Sequence, residues 1–246
     1  MQNQIFKSFK LVLETKDFFC VDKFPETLSV PSRQGLDDKR LVVGLELQTY
    51  FDRPLFPVHR LDYEVSGLLL FAKNKAAHRI SQKWFSDHLV LKTYEASGVF
   101  NQQLKAIFPD IKFEDVLDIE NCSEWKCFLE KGKRRAFMHP KGKLSLTKVK
   151  WCSRQIIDNI SVDTFHLSPV TGRSHQLRFE MFRHQFPIIG DDLYHFAPDR
   201  FKDATLKSLL DLRCQNKGIA LRAISLDLAQ ALKLDPLDLP AQINLK

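Results

Sequence analysis

The chain has 246 residues, with 37 Lys and Arg against 30 Asp and Glu, for a formal charge of +7. That length can bury a core without disulfide or metal staples, and 44% hydrophobic with 27% charged residues is an ordinary globular balance. None of the nine glycines stands in a G-x-G arrangement, which excludes the dinucleotide fingerprint and the Walker-type phosphate loop. No apolar run approaches the ~18 residues of a membrane span.

In chain order, Phe9 to Leu13 and Phe18 to Lys23 are short apolar runs that predict strands. A turn-rich stretch, Pro25 to Asp38, follows. Asp38 to Tyr50 predicts a helix capped by Asp37 or Asp38, with Leu41, Leu45 and Gln48 along one face. Gly67 to Lys73 is a continuous apolar run of strand length, which predicts a central strand buried on both faces. Asn74 can cap a helix with Ala77, Ile80 and Trp84 along one side. Val90 to Val99 predicts another strand, and Leu144 to Ser153 with Ile160 to Leu167 predicts a strand pair. Ser174 to Gln185 predicts a helix with Leu177 and Met181 inward, Asp203 to Arg213 a later helix, and Gly218 to Leu228 a last strand. Strands and helices do not alternate regularly, which disfavours a doubly wound sheet. The expected fold is α+β, a mixed and mostly antiparallel central sheet flanked by helices. A single domain over residues 1–246 is expected, with its core at about 10–230 and an exposed tail at 231–246.

The excess charge is local. Between Lys126 and Arg154 there are ten basic residues and one acid, Glu130, a local charge of +9 on an otherwise slightly acidic chain. A charge run is usually a solvated face. Here it is interleaved with Phe128, Phe137, Leu144 and Trp151, and a basic face of that size attracts polyanions, of which nucleic acid is the commonest large one. The five cysteines are odd in number and contain no C-x-x-C pair, so reduced thiols are expected. Cys122, Cys127 and His139 fit no common zinc spacing, and no metal is expected. Glu14 and Asp17 interrupt the first apolar stretch, so no cleaved signal peptide is predicted and a cytoplasmic location is expected.

Two segments could carry chemistry. Val58-His59-Arg60-Leu61-Asp62 precedes the buried strand, a good position for a carboxylate nucleophile, although these five residues alone favour Asp62 as a loop cap or a partner of Arg60. Val170 to Arg178 sets a glycine turn and a helix start beside Arg173, His175 and Arg178, which could be an anion site or an ordinary helix start with solvated arginines. Tyr94, in Leu91-Lys92-Thr93-Tyr94, gains interest only beside Asp62. G-x-S-x-G, H-E-x-x-H and the zinc-deaminase pattern are absent.

Taken in order, these segments resemble the RluA-type pseudouridine synthases. The resemblance begins at Phe18-Phe19-Cys20-Val21-Asp22-Lys23 and continues through His59-Arg60-Leu61-Asp62, with Ser66-Gly67-Leu68-Leu69-Leu70 and Ala72-Lys73. It then takes in Lys92-Thr93-Tyr94, Gly142-Lys143 with Thr147, and Thr171 to Arg178, followed by Pro187 to Asp191 and Leu193-Tyr194. It covers about residues 10 to 230. Val65 replaces the usual Thr, Lys23-Phe24-Pro25-Glu26 replaces a Lys-Pro-x-Gly type turn, and Arg222 replaces a frequent His. About ten residues precede the first strand, so a stand-alone catalytic domain without an S4 RNA-binding domain is expected.

The resemblance implies the pseudouridine synthase fold and a cofactor-free isomerase that detaches a uracil from its ribose, rotates it and rejoins it through C5. It implies Asp62 as nucleophile, Tyr94 as the aromatic against the base, and Arg178 as the partner of the aspartate. Arg60 would fill the space left by the flipped base. His59, Arg173, His175, Leu177 and Leu221, with Lys133, Arg134, Arg135 and Lys143, are the expected substrate-binding residues. The expected partner is structured RNA, ribosomal or transfer, bound by a monomer with no membrane and no obligate protein partner. A neighbouring arginine keeps a carboxylate ionised and aimed, an extruded base stacks on an aromatic ring, and phosphate contacts offset the unstacking. The competing reading is a non-catalytic RNA chaperone of the same lineage.

Overall fold

The computed structural model describes residues 5–33, 35–111, 116, 122–194 and 218–245. The chain falls into two units, Met1–Lys92 with Arg222–Lys246, and Thr93–Leu221. In the first, strands β1 (Phe9–Glu14) and β2 (Phe18–Lys23) form an antiparallel pair. Helix α1 (Val43–Phe51) and a two-residue strand β3 (Phe56–Pro57) lead to β4 (Ser66–Ala72), which pairs antiparallel with β2 and is followed by α2 (Lys75–Ser86). Phe18–Val21 of β2 and Gly67–Ala72 of β4 are continuous apolar runs because both faces of this sheet are covered, and β2 ends in the buried pair Asp22-Lys23. Phe19, Val21, Leu69 and Phe71 pack with Val43 and Leu47 of α1, while Phe18, Cys20, Leu68 and Leu70 pack with Ala77 and Trp84 of α2.

Asn74 caps α2 as its sequence suggests, its side chain accepting from the Ala77 N–H at 2.9 Å. Helix α1 departs from expectation. It starts at Val43 with Val42 at the cap, not at Asp37 or Asp38. Leu28 takes the preceding backbone into a bridge: its N–H donates to Leu41 O at 2.8 Å and its carbonyl accepts from Val43 N at 2.9 Å. This later start rotates the face, so Val43, Gly44 and Leu47 are buried while Leu41 and Leu45 are exposed.

The second unit is an antiparallel sheet. Its strands are β5 (Leu91–Val99), β6 (Ser123–Lys131), β7 (Ala136–Met138), β8 (Lys143–Ile157) and β9 (Ile160–Pro169), paired in the order β5-β9-β8-β6-β7. The expected β8–β9 pair is longer than the apolar alternation indicates. It closes on Asp158-Asn159, both at positive φ (47° and 63°), which suits a tight hairpin. Helix α3 (Gln176–Arg183) buries Leu177 and Met181 as expected and begins two residues later than its sequence suggests, because His175 sits in the left-handed region at φ 53°. Phe179 and Tyr194 close a cluster with Cys127 and Leu129 of β6. The helix expected over 203–213 lies outside the described residues.

The chain returns to the first unit through β10 (Leu221–Asp227), which runs parallel to β4, then α4 (Ala229–Leu234) and β11 (Gln242–Asn244), antiparallel to β10. Gly67 has φ +113°, and a Cβ there would lie 2.2 Å from Ala223 O, so the parallel pairing needs glycine at this position. The stretch expected as an exposed tail is anchored at a few apolar positions. Ala231 and Ile243 are buried, and Leu237, Leu239 and Leu245 pack against the α2-side cluster, so this spaced apolar pattern secures a strand. The sheets are mixed in one unit and antiparallel in the other, with few helices, which is the expected α+β class.

Candidate active site

Asp62 lies half-buried in the loop between β3 and β4. That loop is pinned at alternate residues. His59 Nε2 accepts from the Leu70 N–H at 3.2 Å. Leu61 is held through both backbone groups by Ser29 Oγ, at 3.1 and 3.0 Å. The Tyr63 carbonyl accepts from Lys23 Nζ at 3.2 Å. Arg60, between two pins, is exposed. His59 stacks on Phe85 with ring centroids 4.7 Å apart. Burial, reinforced by the Lys92 charge, holds its imidazole down at about 3, so it is a neutral acceptor that fixes backbone. Lys23 is fully buried and also donates to Thr27 O at 2.8 Å and Phe24 O at 2.9 Å. Burial lowers its pKa to about 7, partly offset by the charges of Asp62 and Glu64.

In the second unit Tyr94 is half-buried on β5, its backbone in register with Leu167 of β9. Arg178 is buried in the first turns of α3 and forms a two-point ion pair with Asp191: Nε to Oδ2 at 2.6 Å and Nη2 to Oδ1 at 2.8 Å. Asp191 Oδ1 also accepts from the N–H groups of Leu193 and Tyr194. The Tyr194 ring lies 5.6 Å from the Arg178 guanidinium. The Tyr194 hydroxyl accepts from the Ala136 N–H at 2.6 Å and lies 3.2 Å from His175 Nδ1. Arg178 and His175 therefore meet at one tyrosine. Leu177 and Leu221 are buried.

The basic segment divides by strand alternation. Lys143 and Arg173 line a cleft of about 520 Å³ together with Lys131, Lys141 and Gly172. Arg173 is held in place by its Nε, which donates to Leu144 O at 2.8 Å. Lys133, Arg134 and Arg135 are exposed in the loop between β6 and β7, outside the cleft lining. The Cys127 thiol donates to Glu180 Oε1 at 2.9 Å, and burial with the Glu180 charge pushes it up to about 12. Among the described residues no three His, Cys, Asp or Glu are grouped to hold a metal ion, and no helix is long and apolar enough to cross a membrane.

Residues 17–184 match the family described as RNA pseudouridylate synthase. The chain belongs to that family. It is 30% identical over 225 residues to an uncharacterized RNA pseudouridine synthase of Helicobacter pylori, covering 90% of this chain and 68% of the relative. It is 31% identical over 187 residues to the dual-specificity RNA pseudouridine synthase RluA of Vibrio vulnificus, covering 75% and 68%. Among solved structures, human RNA Pseudouridylate Synthase Domain Containing 1 superposes with a TM-score of 0.70 at 20% identity, over 100% of this chain and 86% of that one, and so shares its fold. The chain is thus a pseudouridine synthase, an isomerase acting on RNA.

In this pseudouridine synthase, sequence reasoning did not single out Lys23, Asp191 or Tyr194 as site residues. Each stands inside a segment that carries the family resemblance. Their roles depend on partners 40, 13 and 58 positions away, as the Lys23–Tyr63, Arg178–Asp191 and Ala136–Tyr194 bonds show. The only signal available was a charged or hydroxylated residue inside an otherwise apolar stretch.

Proposed function

We propose that this pseudouridine synthase converts a specific uridine of ribosomal or transfer RNA to pseudouridine, with Asp62 as nucleophile and the target base flipped out of its stack. The two units act together as one catalytic domain, as a monomer, in the cytoplasm. The observation that carries the reading is the pinned loop: His59, Leu61 and Tyr63 are each tied down, and Asp62 stands among them on a rigid mount. In the reaction the C1′–N1 bond breaks, the uracil rotates, a C1′–C5 bond forms, the proton leaves C5 and N1 gains one. Asp62 supplies the carboxylate that attacks C6 of the base or C1′ of the ribose, and its bond to that carbon breaks again, releasing the free carboxylate, before the product leaves. Tyr94 stacks on the extruded base, and Arg178 pairs with Asp62 to keep it ionised and aimed. Arg60 enters the space the base vacates. His59, Arg173, His175, Leu177 and Leu221 contribute to the substrate pocket, and Lys133, Arg134, Arg135 and Lys143 hold the RNA backbone.

The test is tritium release from RNA labelled at uridine C5. The wild-type protein should release label from ribosomal or transfer RNA, and Asp62→Ala should abolish release while RNA binding persists. Equal release by the variant would remove Asp62 as nucleophile. No release by the wild type from either RNA would favour a non-catalytic RNA-binding role.

A further inference from the structure

The basic segment runs along strands, so its side chains are sorted to opposite faces of the second unit's sheet. Trp125, Cys127 and Leu129 of β6, with Ser145, Thr147 and Val149 of β8, point to the buried side, where α3 packs. Beyond Leu129 the same inward row ends in Lys131, and on β8 it begins with Lys143. Leu129 stands opposite Lys143, and Ala136 stands opposite Lys131, so neither lysine faces a carboxylate across the ladder. These two lysines, with Lys141 and Arg173, wall a cleft of about 520 Å³. Among the described residues its one acidic lining residue, Glu130, lies 3.1 Å from His139 Nδ1. Gly142 keeps one wall close, since a Cβ there would lie 2.7 Å from the Leu129 carbonyl carbon, whereas Gly172 opens onto empty space. The outward row differs. Lys148 stands opposite Glu124, and Lys150 stands opposite His166, itself across from Glu95.

We propose that this cleft is the subsite that grips the sugar-phosphate backbone of the RNA, through Lys131, Lys141, Lys143 and Arg173, and that the outward lysines Lys126, Lys148 and Lys150 take no part. The inference rests on the RNA-modifying reading and sorts the strand-borne cations of the basic segment by face, while Lys133, Arg134 and Arg135 in the β6–β7 loop keep the backbone contacts proposed for them. Four cations gathered in a concave site whose described lining holds a single carboxylate concentrate field on a polyanion, whereas Lys126, Lys148 and Lys150 lie on the opposite face and Lys148, across from Glu124, is partly neutralised before any ligand arrives. The fixed Arg173 adds a planar donor suited to phosphate.

The experiment compares two variants of equal charge change, Lys131→Gln/Lys141→Gln/Lys143→Gln and Lys126→Gln/Lys148→Gln/Lys150→Gln. Binding of unfractionated transfer RNA and of a transcribed large-subunit ribosomal RNA fragment is measured against salt, alongside tritium release. The cleft variant should lower the slope of log affinity against log salt by about two to three. Its KM for RNA should rise roughly ten- to hundredfold at physiological salt, with kcat retained at saturating RNA. The outward variant should match the wild type in both. Gly172→Glu, which adds a carboxylate where a Cβ meets nothing within 4 Å, should reproduce the cleft effect by a separate route. An unchanged slope in the cleft variant, or an equal loss in the outward one, would overturn the proposal. Failure of the enzyme reading would show separately, as absence of tritium release by the wild type, and the slope comparison would still decide the cleft.

Discussion

Asp191 holds the Arg178 guanidinium by two buried hydrogen bonds, and its own Oδ1 is fixed in turn by the N–H groups of Leu193 and Tyr194. The arginine on α3 is thereby oriented by the chain that follows the helix. Asp191→Asn keeps the shape and one acceptor but loses the charge and one bond. On the role proposed for Arg178, it should lower kcat by roughly tenfold to a hundredfold, since small misplacements of such a group cost that much. KM for RNA should stay near the wild-type value. Asp191→Ala takes the Asp191 carboxylate away from a buried guanidinium and should cost about 3–5 kcal/mol of stability. Single-turnover tritium release and urea unfolding separate the two effects. An unchanged kcat in Asp191→Asn would show that Arg178 needs no such orientation.

Lys23 joins the turn after β2 to the Asp62 loop through the carbonyls of Phe24, Thr27 and Tyr63. Lys23→Met preserves the bulk but removes the donor to the Thr27 and Tyr63 carbonyls, while Phe24 O keeps the Thr27 hydroxyl, and should destabilise by about 3 kcal/mol. Burial depresses the folded-state pKa to about 7, below the unfolded value of ~10.4. The unfolded chain therefore binds more protons between these values, so this group's contribution to stability rises with pH from about 7 to about 10. Urea midpoints at pH 7 and pH 9.5 should show that rise in the wild type and lack it in Lys23→Met.

His59 and His184 should govern the acid side. Burial holds each imidazole at about 3 in the folded protein, with Lys92 adding to the effect on His59 and Arg183 to that on His184. Their unfolded pKa is ~6.5, so unfolding near pH 5 takes up about two protons from these groups. Stability should therefore fall as pH drops from about 6.5 toward 3. His184→Gln, next to Trp125 at 3.8 Å, should reduce that proton uptake by about one. An unchanged uptake would mean that the ring is protonated in the fold.

The elements most legible in the sequence were those whose burial is continuous or whose cap is local. The run at β4 and the Asn74 cap of α2 declare themselves within a few residues. The start of α1 did not, because Leu28, fourteen residues upstream of Val42, decides it. The tail did not, because β11 gains its order by pairing with β10 and by packing Ile243 against residues far away in sequence. At the site, Asp62, Tyr94 and Arg178 were legible as members of motifs. The groups that hold the loop and the arginine, Lys23, Ser29 and Asp191, act across the fold and carry no local pattern. The division of the basic segment into two faces became visible only with the register of β6 and β8.

Tyr194 links that register to the arginine. Its ring lies beside Arg178, while its hydroxyl accepts from the Ala136 N–H, on the strand that floors the basic cleft, and meets His175. Tyr194→Phe keeps the ring and removes the hydroxyl. The buried Ala136 N–H then loses its partner, which should cost about 1–3 kcal/mol. Since the ring and Asp191 still set the guanidinium, kcat should be retained. The KM for RNA should rise, because Ala136, which lines the cleft, loses that bond. Asp191→Asn should do the reverse, lowering kcat with KM retained. Measuring both variants on the same labelled RNA tests the division of labour directly: a fall in kcat with Tyr194→Phe equal to that of Asp191→Asn would show that hydroxyl and carboxylate act as one unit on Arg178.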